Sequence, residues 1–261
     1  MTAITSIPSI EKTIESAKKT VQTERRRVTD EIEAYEQFAT KLTTTSTTST
    51  SQPTLGTFDT PVEAGVTSET SSIKNLFEAT VMSVSHYEED YDESFMEHIA
   101  AEFTPEIALL LNETDRLTKQ HTSVLDSYIH TAITQRKDLA QTLEVEYDSV
   151  DHLGSQVHER SQQVLEISHR EFNCMDFGAL EAHWRRLETI TTQCDQIATD
   201  RQQVIDSPTR AVGCINSDIS LNHYLYEDLA YDYPILATIG TLGGSIYSLQ
   251  TQIERLIASV N

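Results

Sequence analysis

The 261-residue chain carries 41 Asp and Glu against 19 Lys and Arg, a formal net charge of −22, with 8 Gly and 6 Pro. The acids are spread along segments that also carry a regular apolar stripe, which is typical of a folded acidic surface and excludes an acidic tail. The three cysteines form no CxxC pair, so the chain lacks a disulfide framework and a reducing cytoplasm is expected. Scarce Gly and Pro leave room for long helices, and we predict an all-α protein.

Residues 7–42 are predicted to form one long N-terminal helix of coiled-coil type. Its apolar or small residues recur at spacings of four and three, which matches a heptad seam. The seam positions are Ile10, Ile14, Ala17, Val21, Val28, Ile32, Tyr35, Ala39 and Leu42. A lone helix cannot bury such a stripe, so the seam needs a partner in its own chain, in a second copy or in a different protein.

Residues 43–71 are predicted to be a disordered linker, because they are rich in Thr and Ser and show no apolar periodicity. The helical body is predicted over residues 72–261 as an antiparallel bundle with one very long helix. Apolar periodicity, caps and turns place its helices at 72–84, 87–102, from Thr104-Pro105, 115–170, 179–206, 221–230 and 234–259.

The segment from His86 to Glu93 is the densest polar and aromatic cluster of the chain. Its candidate site residues are His86, Tyr87, Glu88, Glu89, Asp90, Tyr91 and Glu93. On a helix, His86 and Asp90 share a face, as do Glu89, Glu93 and Glu97. Three interpretations stay open: a divalent metal site, a surface that senses a partner or ligand, and a solvated helix start with Tyr87 and Tyr91 packed inward.

The remaining chemistry-bearing residues form no recognisable catalytic motif. His152, His158, His169, Cys174, His183 and Cys194 are too loosely spaced for a zinc site, which usually shows paired ligands on each side. The glycines of the 234–259 segment lack the Lys-Ser/Thr of a phosphate loop, and there is no nucleophile elbow. We therefore expect no enzyme activity and no cofactor.

The basic residues cluster in only two places, Arg25-Arg26-Arg27 and Arg185-Arg186. Three consecutive helical residues point around most of the circumference, so the triplet forms no flat phosphate-binding stripe. Nucleic acid is therefore not expected as a partner. The most apolar stretch, 235–246, is shorter than the roughly 20 residues of a membrane span, so no span is expected.

Several segments resemble an uncharacterised protein family of haloarchaea. The most specific is TVMSVSHYEEDYDE at 80–93, with Ser85 where the family is expected to carry Pro; ERRR at 24–27, CDQIATDRQ at 194–202, and YLY and YPILA around 224–237 also match. The resemblance implies no activity. It agrees with the composition, because high acid with few lysines is typical of salt-accumulating microbes. Surface acids repel at ~0.1 M salt, where the Debye length is roughly 10 Å, and the repulsion is largely screened at ~1 M.

The favoured function is that of a non-enzymatic helical interaction or assembly protein of a halophilic cytoplasm. A second copy or another protein would engage the helix 1 seam through Ile14, Val21, Val28, Ile32 and Tyr35. Val21→Asp with Val28→Asp is then expected to abolish association and leave the 72–261 body folded. The alternatives are a regulatory protein that senses a ligand through His86–Glu93, and a metal-dependent enzyme.

Overall fold

The computed structural model describes residues 7–48, 68–207 and 220–260, and these are almost entirely helical. The helices are α1 (Ile7–Thr48), α2 (Thr70–Glu78), α3 (Tyr87–Asp90), α4 (Phe95–Glu102), α5 (Pro105–Glu113), α6 (Lys119–Ser168), α7 (Phe177–Ile205), α8 (Leu221–Tyr226) and α9 (Pro234–Val260). Short 3-10 turns lie at Val81–Ser83 and Phe172–Cys174. The all-α prediction is confirmed, including the long first helix and the very long α6.

The described part of the chain contains one small sheet, made of two strands of two residues each. Strand β1 (Ser68–Glu69) pairs antiparallel with β2 (Arg116–Leu117), with Ser68 opposite Leu117 and Glu69 opposite Arg116. The next residue, Thr70, donates from its hydroxyl to the carbonyl of Thr114 at 2.6 Å. The pair therefore fixes the start of α2 beside the end of α5.

The boundaries of the predicted linker differ from the observed ones at both ends. Helix α1 continues to Thr48, and threonine hydroxyls near its end donate back to carbonyls one turn earlier, as Thr44 does to Thr40 at 2.9 Å. At the other end, residues 68–71 form β1 and begin α2. The remainder of the predicted disordered segment, residues 49–67, lies outside the described residues.

The prediction of one helix over 87–102 is wrong, because the chain turns between α3 and α4. Asp92 has a φ of 46°, a left-handed conformation that a continuing helix cannot contain. Ser94 then caps α4 in a capping box with Glu97, whose carboxylate accepts from the Ser94 backbone N–H at 2.9 Å. Glu89, Glu93 and Glu97 therefore do not share one helix face.

The chain divides into two compact units. Unit 1 consists of Met1–Arg25 and Gln141–Asn261, and unit 2 of Arg26–Ala140. Helices α1 and α6 therefore each contribute residues to both units. In unit 1, α1, α6 and α9 meet at Gly154, where an added Cβ would lie 2.7 Å from Ile14 Cγ2 and 3.6 Å from Ile235 Cδ1.

The core of unit 2 is built around aromatic side chains. Phe77 of α2 meets Tyr35, Phe38 and Phe95 edge to face, with ring centroids 5.1 to 6.1 Å apart. Aliphatic residues of α4, α5 and α6 complete this core: Ile99, Ile107, Leu111, Leu125 and Ile129. None of the helices in the described ranges is long and apolar enough to cross a membrane.

Candidate functional site

The candidate site residues of the sequence analysis lie beside a buried arginine in unit 2. Helix α6 places Arg136 with only 4% of its side chain exposed. Its Nε donates to Glu31 Oε2 at 2.7 Å, and its Nη1 and Nη2 donate to Glu102 Oε1 and Oε2 at 2.5 and 3.1 Å. The guanidinium also lies over the Tyr35 ring, 4.4 Å from the centroid. One buried cation thus joins α1, α4 and α6.

Glu31 is the carboxylate that connects this arginine to the His86–Glu93 segment. Its Oε1 accepts from the Tyr91 hydroxyl at 3.0 Å and lies 3.3 Å from His86 Nε2. His86 Nε2 is also 3.9 Å from Asp90 Oδ2, one turn along α3. Glu31, His86 and Asp90 each offer one ligand atom, and these atoms lie within 4.8 Å of one another. Carboxylate and imidazole groups in such a group can bind a divalent cation.

Both carboxylates of this group already have an arginine partner. Arg136 donates to Glu31, and Arg27 donates from Nη1 to Asp90 at 2.7 Å and from Nη2 to Glu89 at 2.8 Å. A metal ion would have to compete with these guanidinium groups for the same oxygens. The arrangement is therefore suited to holding α1, α3 and α6 together, and less suited to a resident metal.

A second histidine, His98, occupies the interior of the same network with 2% of its side chain exposed. The Tyr35 hydroxyl lies 3.1 Å from its Nε2, and the Tyr87 hydroxyl lies 3.0 Å from its Nδ1. Burial lowers the pKa of His98, although the charges of Glu102 and Glu93 act in the opposite direction. A neutral imidazole between two hydroxyls is consistent with this direction.

Burial also keeps Tyr35 and Tyr87, the two tyrosines whose hydroxyls contact His98, protonated. It raises the pKa of Tyr87 to about 12, with the charges of Glu93 and Glu97 adding to the effect. Burial likewise raises the pKa of Tyr35 well above its ordinary value, and the charge of Arg136 acts against that shift. Both hydroxyls therefore remain hydrogen-bond donors throughout the physiological range.

The structure separates the predicted site residues into two groups. His86, Tyr87, Asp90 and Tyr91 join the network, with Tyr87 buried and Tyr91 half-buried, whereas Glu88 is exposed. Glu89 is exposed and pairs with Arg27, and the Glu93 carboxylate lies 3.4 Å from His98 Nδ1. The inward-facing tyrosines match one of the three interpretations that the sequence left open.

The sequence analysis did not identify Glu31, Arg136 or Glu102 as members of a site. The sequence pattern does indicate that Arg136 is buried. It lies four residues after the buried Ala132, on the face of α6 that packs in the core. A charged residue at such a position requires a buried partner. The identity of that partner could not be read, since Glu31 is 105 residues away along the chain.

Unit 1 contains a separate buried ion pair. Arg201 donates from Nη2 to Glu146 Oε1 at 2.6 Å and from Nη1 to Glu146 Oε2 at 3.0 Å, with 1% and 0% of the two side chains exposed. Ser149 Oγ accepts a third bond from Arg201 Nη1 at 2.9 Å, and the Tyr226 hydroxyl donates to Glu146 Oε1 at 2.6 Å. The pair is thus held by four hydrogen bonds and is almost completely shielded from solvent.

The seam predicted on helix 1 is occupied by the chain itself. Ile14 and Val21 are 4% and 0% exposed in unit 1, and Val28 and Tyr35 are 3% and 0% exposed in unit 2. Ile32 is half-buried. This corrects the expectation that an outside partner covers the seam, because four of its five contact residues are inaccessible. Val21→Asp or Val28→Asp would place a charge in a core rather than disrupt an interface.

The histidines and cysteines of the 152–194 segment are not brought together as a metal centre within the described ranges, where the one candidate group is Glu31, His86 and Asp90. Cys194 is buried, which raises the pKa of its thiol to about 11, and Cys174 is exposed. A groove of about 460 Å³ in unit 1 is lined by Glu181, Trp184, Glu254, Ile257 and Ala258. The indole of Trp184 donates to Glu254 Oε1 at 3.0 Å there.

The chain belongs to the family DUF7260, described as a domain of unknown function, whose family model matches residues 12–250. This match covers both units and includes the buried networks. No curated protein and no solved structure matches the chain.

Proposed function

We propose that this chain is a non-enzymatic helical assembly protein of a halophilic cytoplasm, and that its binding surface is the exposed face of α9. The observation that carries the proposal is the absence of charge over the first 20 residues of this helix. No Asp, Glu, Lys, Arg or His occurs from Pro234 to Ile253, in a chain whose formal net charge is −22. A solvated helix of such a protein would be expected to carry charged residues on its outer face.

The outer face of α9 combines exposed aromatic rings with residues that have no side chain. Tyr247 is 72% exposed and Tyr233 is 42% exposed. Gly240 and Gly244 are also exposed and lie between them on the same face. Tyrosine is enriched at the energetic centres of protein interfaces, where charged residues are depleted. This surface, defined by Tyr233, Gly240, Gly244 and Tyr247, is called the α9 face below.

The proposal of a non-enzymatic role is supported by the use of the buried polar groups. Arg136, Glu31 and Glu102 bond to one another, as do Arg201 and Glu146. His98 is enclosed by two tyrosine hydroxyls. These groups satisfy each other and hold helices in place, whereas a catalytic group must be directed at a substrate.

Ligand sensing through the His86 segment is the second candidate. The observation that favours it is the convergence of Glu31, His86 and Asp90 ligand atoms within 4.8 Å. A ligand there would have to displace Arg27 or Arg136 from a carboxylate, so we rank it below assembly. Its test is the thermal unfolding midpoint with and without Zn²⁺, which should rise in the wild type and not in His86→Ala if sensing is correct.

The proposed function is tested by affinity capture of the tagged full-length chain from native extract held at about 1 M KCl. The wild type should retain a stoichiometric partner, which includes the untagged chain itself. Tyr247→Asp should lose that partner, whereas Val124→Asp, an exposed position in unit 2 with 41% exposure, should keep it. Equal retention by both variants, or no retention by the wild type, would contradict the proposal.

A further inference from the structure

We infer that the partner at the α9 face is a second copy of this chain, bound as an antiparallel α9–α9 pair in which Tyr247 of each copy rests on Gly240 of the other. The inference rests on the proposed function, because it names the occupant of the same face. It follows from three observations. These are the glycines of α9 that no described atom of the chain approaches, the register of tyrosine and glycine on the helix, and the distribution of charge.

The three glycines of α9 lie away from every atom of the described part of the chain that a side chain at these positions could meet. A Cβ added at Gly240, Gly243 or Gly244 would meet nothing within 4 Å. A glycine in a helix interior destabilises the helix relative to alanine. Gly154 of α6 shows the contrast, because a Cβ there would lie 2.7 Å from Ile14 Cγ2. The backbone of α9 is therefore open at these positions among the described residues, and a second molecule could approach it closely there.

The register of the face is self-complementary. Gly240 and Tyr247 are seven residues apart, which is two turns of helix and roughly 10 Å along the axis. Consider two α9 helices that run antiparallel, with a two-fold axis midway between Gly243 and Gly244. Gly240 of the first copy then faces Tyr247 of the second, and Tyr247 of the first copy faces Gly240 of the second. Each exposed ring then fills the space above a glycine, as an isologous interface requires.

The distribution of charge on the chain favours a second copy as the occupant of the α9 face. Contact between the acidic surfaces of two chains of formal charge −22 would desolvate like-charged carboxylates, which is costly even where molar salt screens their longer-range repulsion. The α9 face is uncharged over 20 residues, so two copies can approach there without bringing acids together. Arg255 follows the uncharged stretch and Asp232 precedes it. The same register brings Arg255 of one copy towards Asp232 of the other. Charges of opposite sign therefore meet at both ends of the pair.

The experiment is sedimentation equilibrium of the purified full-length chain at about 1 M KCl, with helicity followed by circular dichroism. The wild type should be a dimer. Tyr247→Asp and Gly240→Lys should each raise the dissociation constant by about tenfold or more. The double variant should recover several-fold of the loss, because two Lys–Asp pairs then form across the two-fold axis. Val124→Asp, at an exposed position in unit 2, should leave the dissociation constant unchanged.

The design separates folding from association. No atom of the described residues lies within 4 Å of the Cβ position at Gly240, so a Cβ there causes no clash with them and improves the helix propensity. Helicity should therefore be retained in Gly240→Lys while the dimer is lost.

Four outcomes would overturn the inference in distinguishable ways. A wild-type dimer that both single variants leave intact would place the interface elsewhere. Single variants that dissociate without rescue in the double variant would contradict the antiparallel register. A wild-type monomer that still captures a different protein through Tyr247 would overturn the second copy and leave the proposed function standing, whereas a monomer that captures nothing would remove both.

Discussion

Arg201 and Glu146 form a two-pronged ion pair inside unit 1, with Nη2–Oε1 and Nη1–Oε2 distances of 2.6 and 3.0 Å and almost no exposed surface. The pair joins α6 to α7, and the Tyr226 hydroxyl adds a bond from α8 at 2.6 Å. Buried ions are expensive to desolvate, so such a pair is stable only when each group keeps its partner. The stability of the interior of unit 1 thus depends on the ion pair between two residues that lie 55 positions apart in the chain.

Arg201→Met should therefore lower the free energy of unfolding by about 3–5 kcal/mol, because it leaves the carboxylate of Glu146 buried without a cation. Arg201→Met combined with Glu146→Leu should cost clearly less than the single change, since no charge is then left unpaired. Urea denaturation followed by circular dichroism measures both values. A double variant less stable than Arg201→Met would show that the pair is not what makes the single change costly.

Two glycine substitutions should have opposite signs. Gly154→Ala should destabilise unit 1 by about 1–3 kcal/mol, because the added methyl meets Ile14 Cγ2 at 2.7 Å and the core has to shift. Gly240→Ala should instead stabilise the monomer by about 0.5–1 kcal/mol, since its Cβ meets nothing within 4 Å. Urea unfolding midpoints at low protein concentration measure both. A stabilising Gly154→Ala would contradict the close packing of α1 on α6.

The stability of the fold should depend on pH through His98. Burial lowers the pKa of the folded side chain, whereas the unfolded chain titrates at about 6.5. Between these values the unfolded state binds more protons, so the free energy of unfolding should fall as pH falls from about 6.5 towards the folded pKa. The loss is at most about 1.4 kcal/mol for each pH unit of the shift and stops below the folded pKa.

His98→Gln should flatten this dependence between about pH 7.5 and 5.5, because it removes the titrating ring. The matched control is His130→Gln, since the His130 side chain is 66% exposed and does not enter the network. Urea unfolding at several pH values gives the slope for each protein. A slope unchanged by His98→Gln would contradict the assignment of this pH dependence to the buried ring.

Salt should stabilise the fold, because the formal charge of −22 repels itself when it is weakly screened. The Debye length shrinks from roughly 10 Å at ~0.1 M to roughly 3 Å at ~1 M salt. The unfolding midpoint and the helicity should therefore rise together as KCl increases over this range. Equal values in dilute and molar KCl would contradict the proposal that the protein works in concentrated salt.

Helical architecture could be predicted because it depends on local pattern. The predicted helices at 115–170 and 179–206 correspond to α6 (Lys119–Ser168) and α7 (Phe177–Ile205) within a few residues. The apolar stripe of helix 1 was identified for the same reason. The surface that covers this stripe could not be identified, because an apolar stripe shows only that it is buried against another surface. Here the covering residues belong to the same chain.

The polar network could be predicted only in part, because its bonds connect distant parts of the chain. The His86–Glu93 segment was recognisable as a dense cluster. Its partner Glu31, however, lies 55 residues before His86, and Arg136 lies 105 residues after Glu31. The turn at Asp92 was missed because its left-handed backbone conformation carries no strong signature in an Asp residue. Long-range pairing and local strain are thus the two features that the pattern did not reveal.

The most direct test of assembly through the α9 face is the mass of the purified chain in molar KCl, measured by light scattering for the wild type and Gly240→Leu. The chain mass is 29.4 kDa. The account predicts twice this mass for the wild type, and a single-chain mass with undiminished helicity for Gly240→Leu, because leucine fills the space above the helix at a position where an added Cβ meets no described atom within 4 Å. A Gly240→Leu protein that stays dimeric would contradict the account.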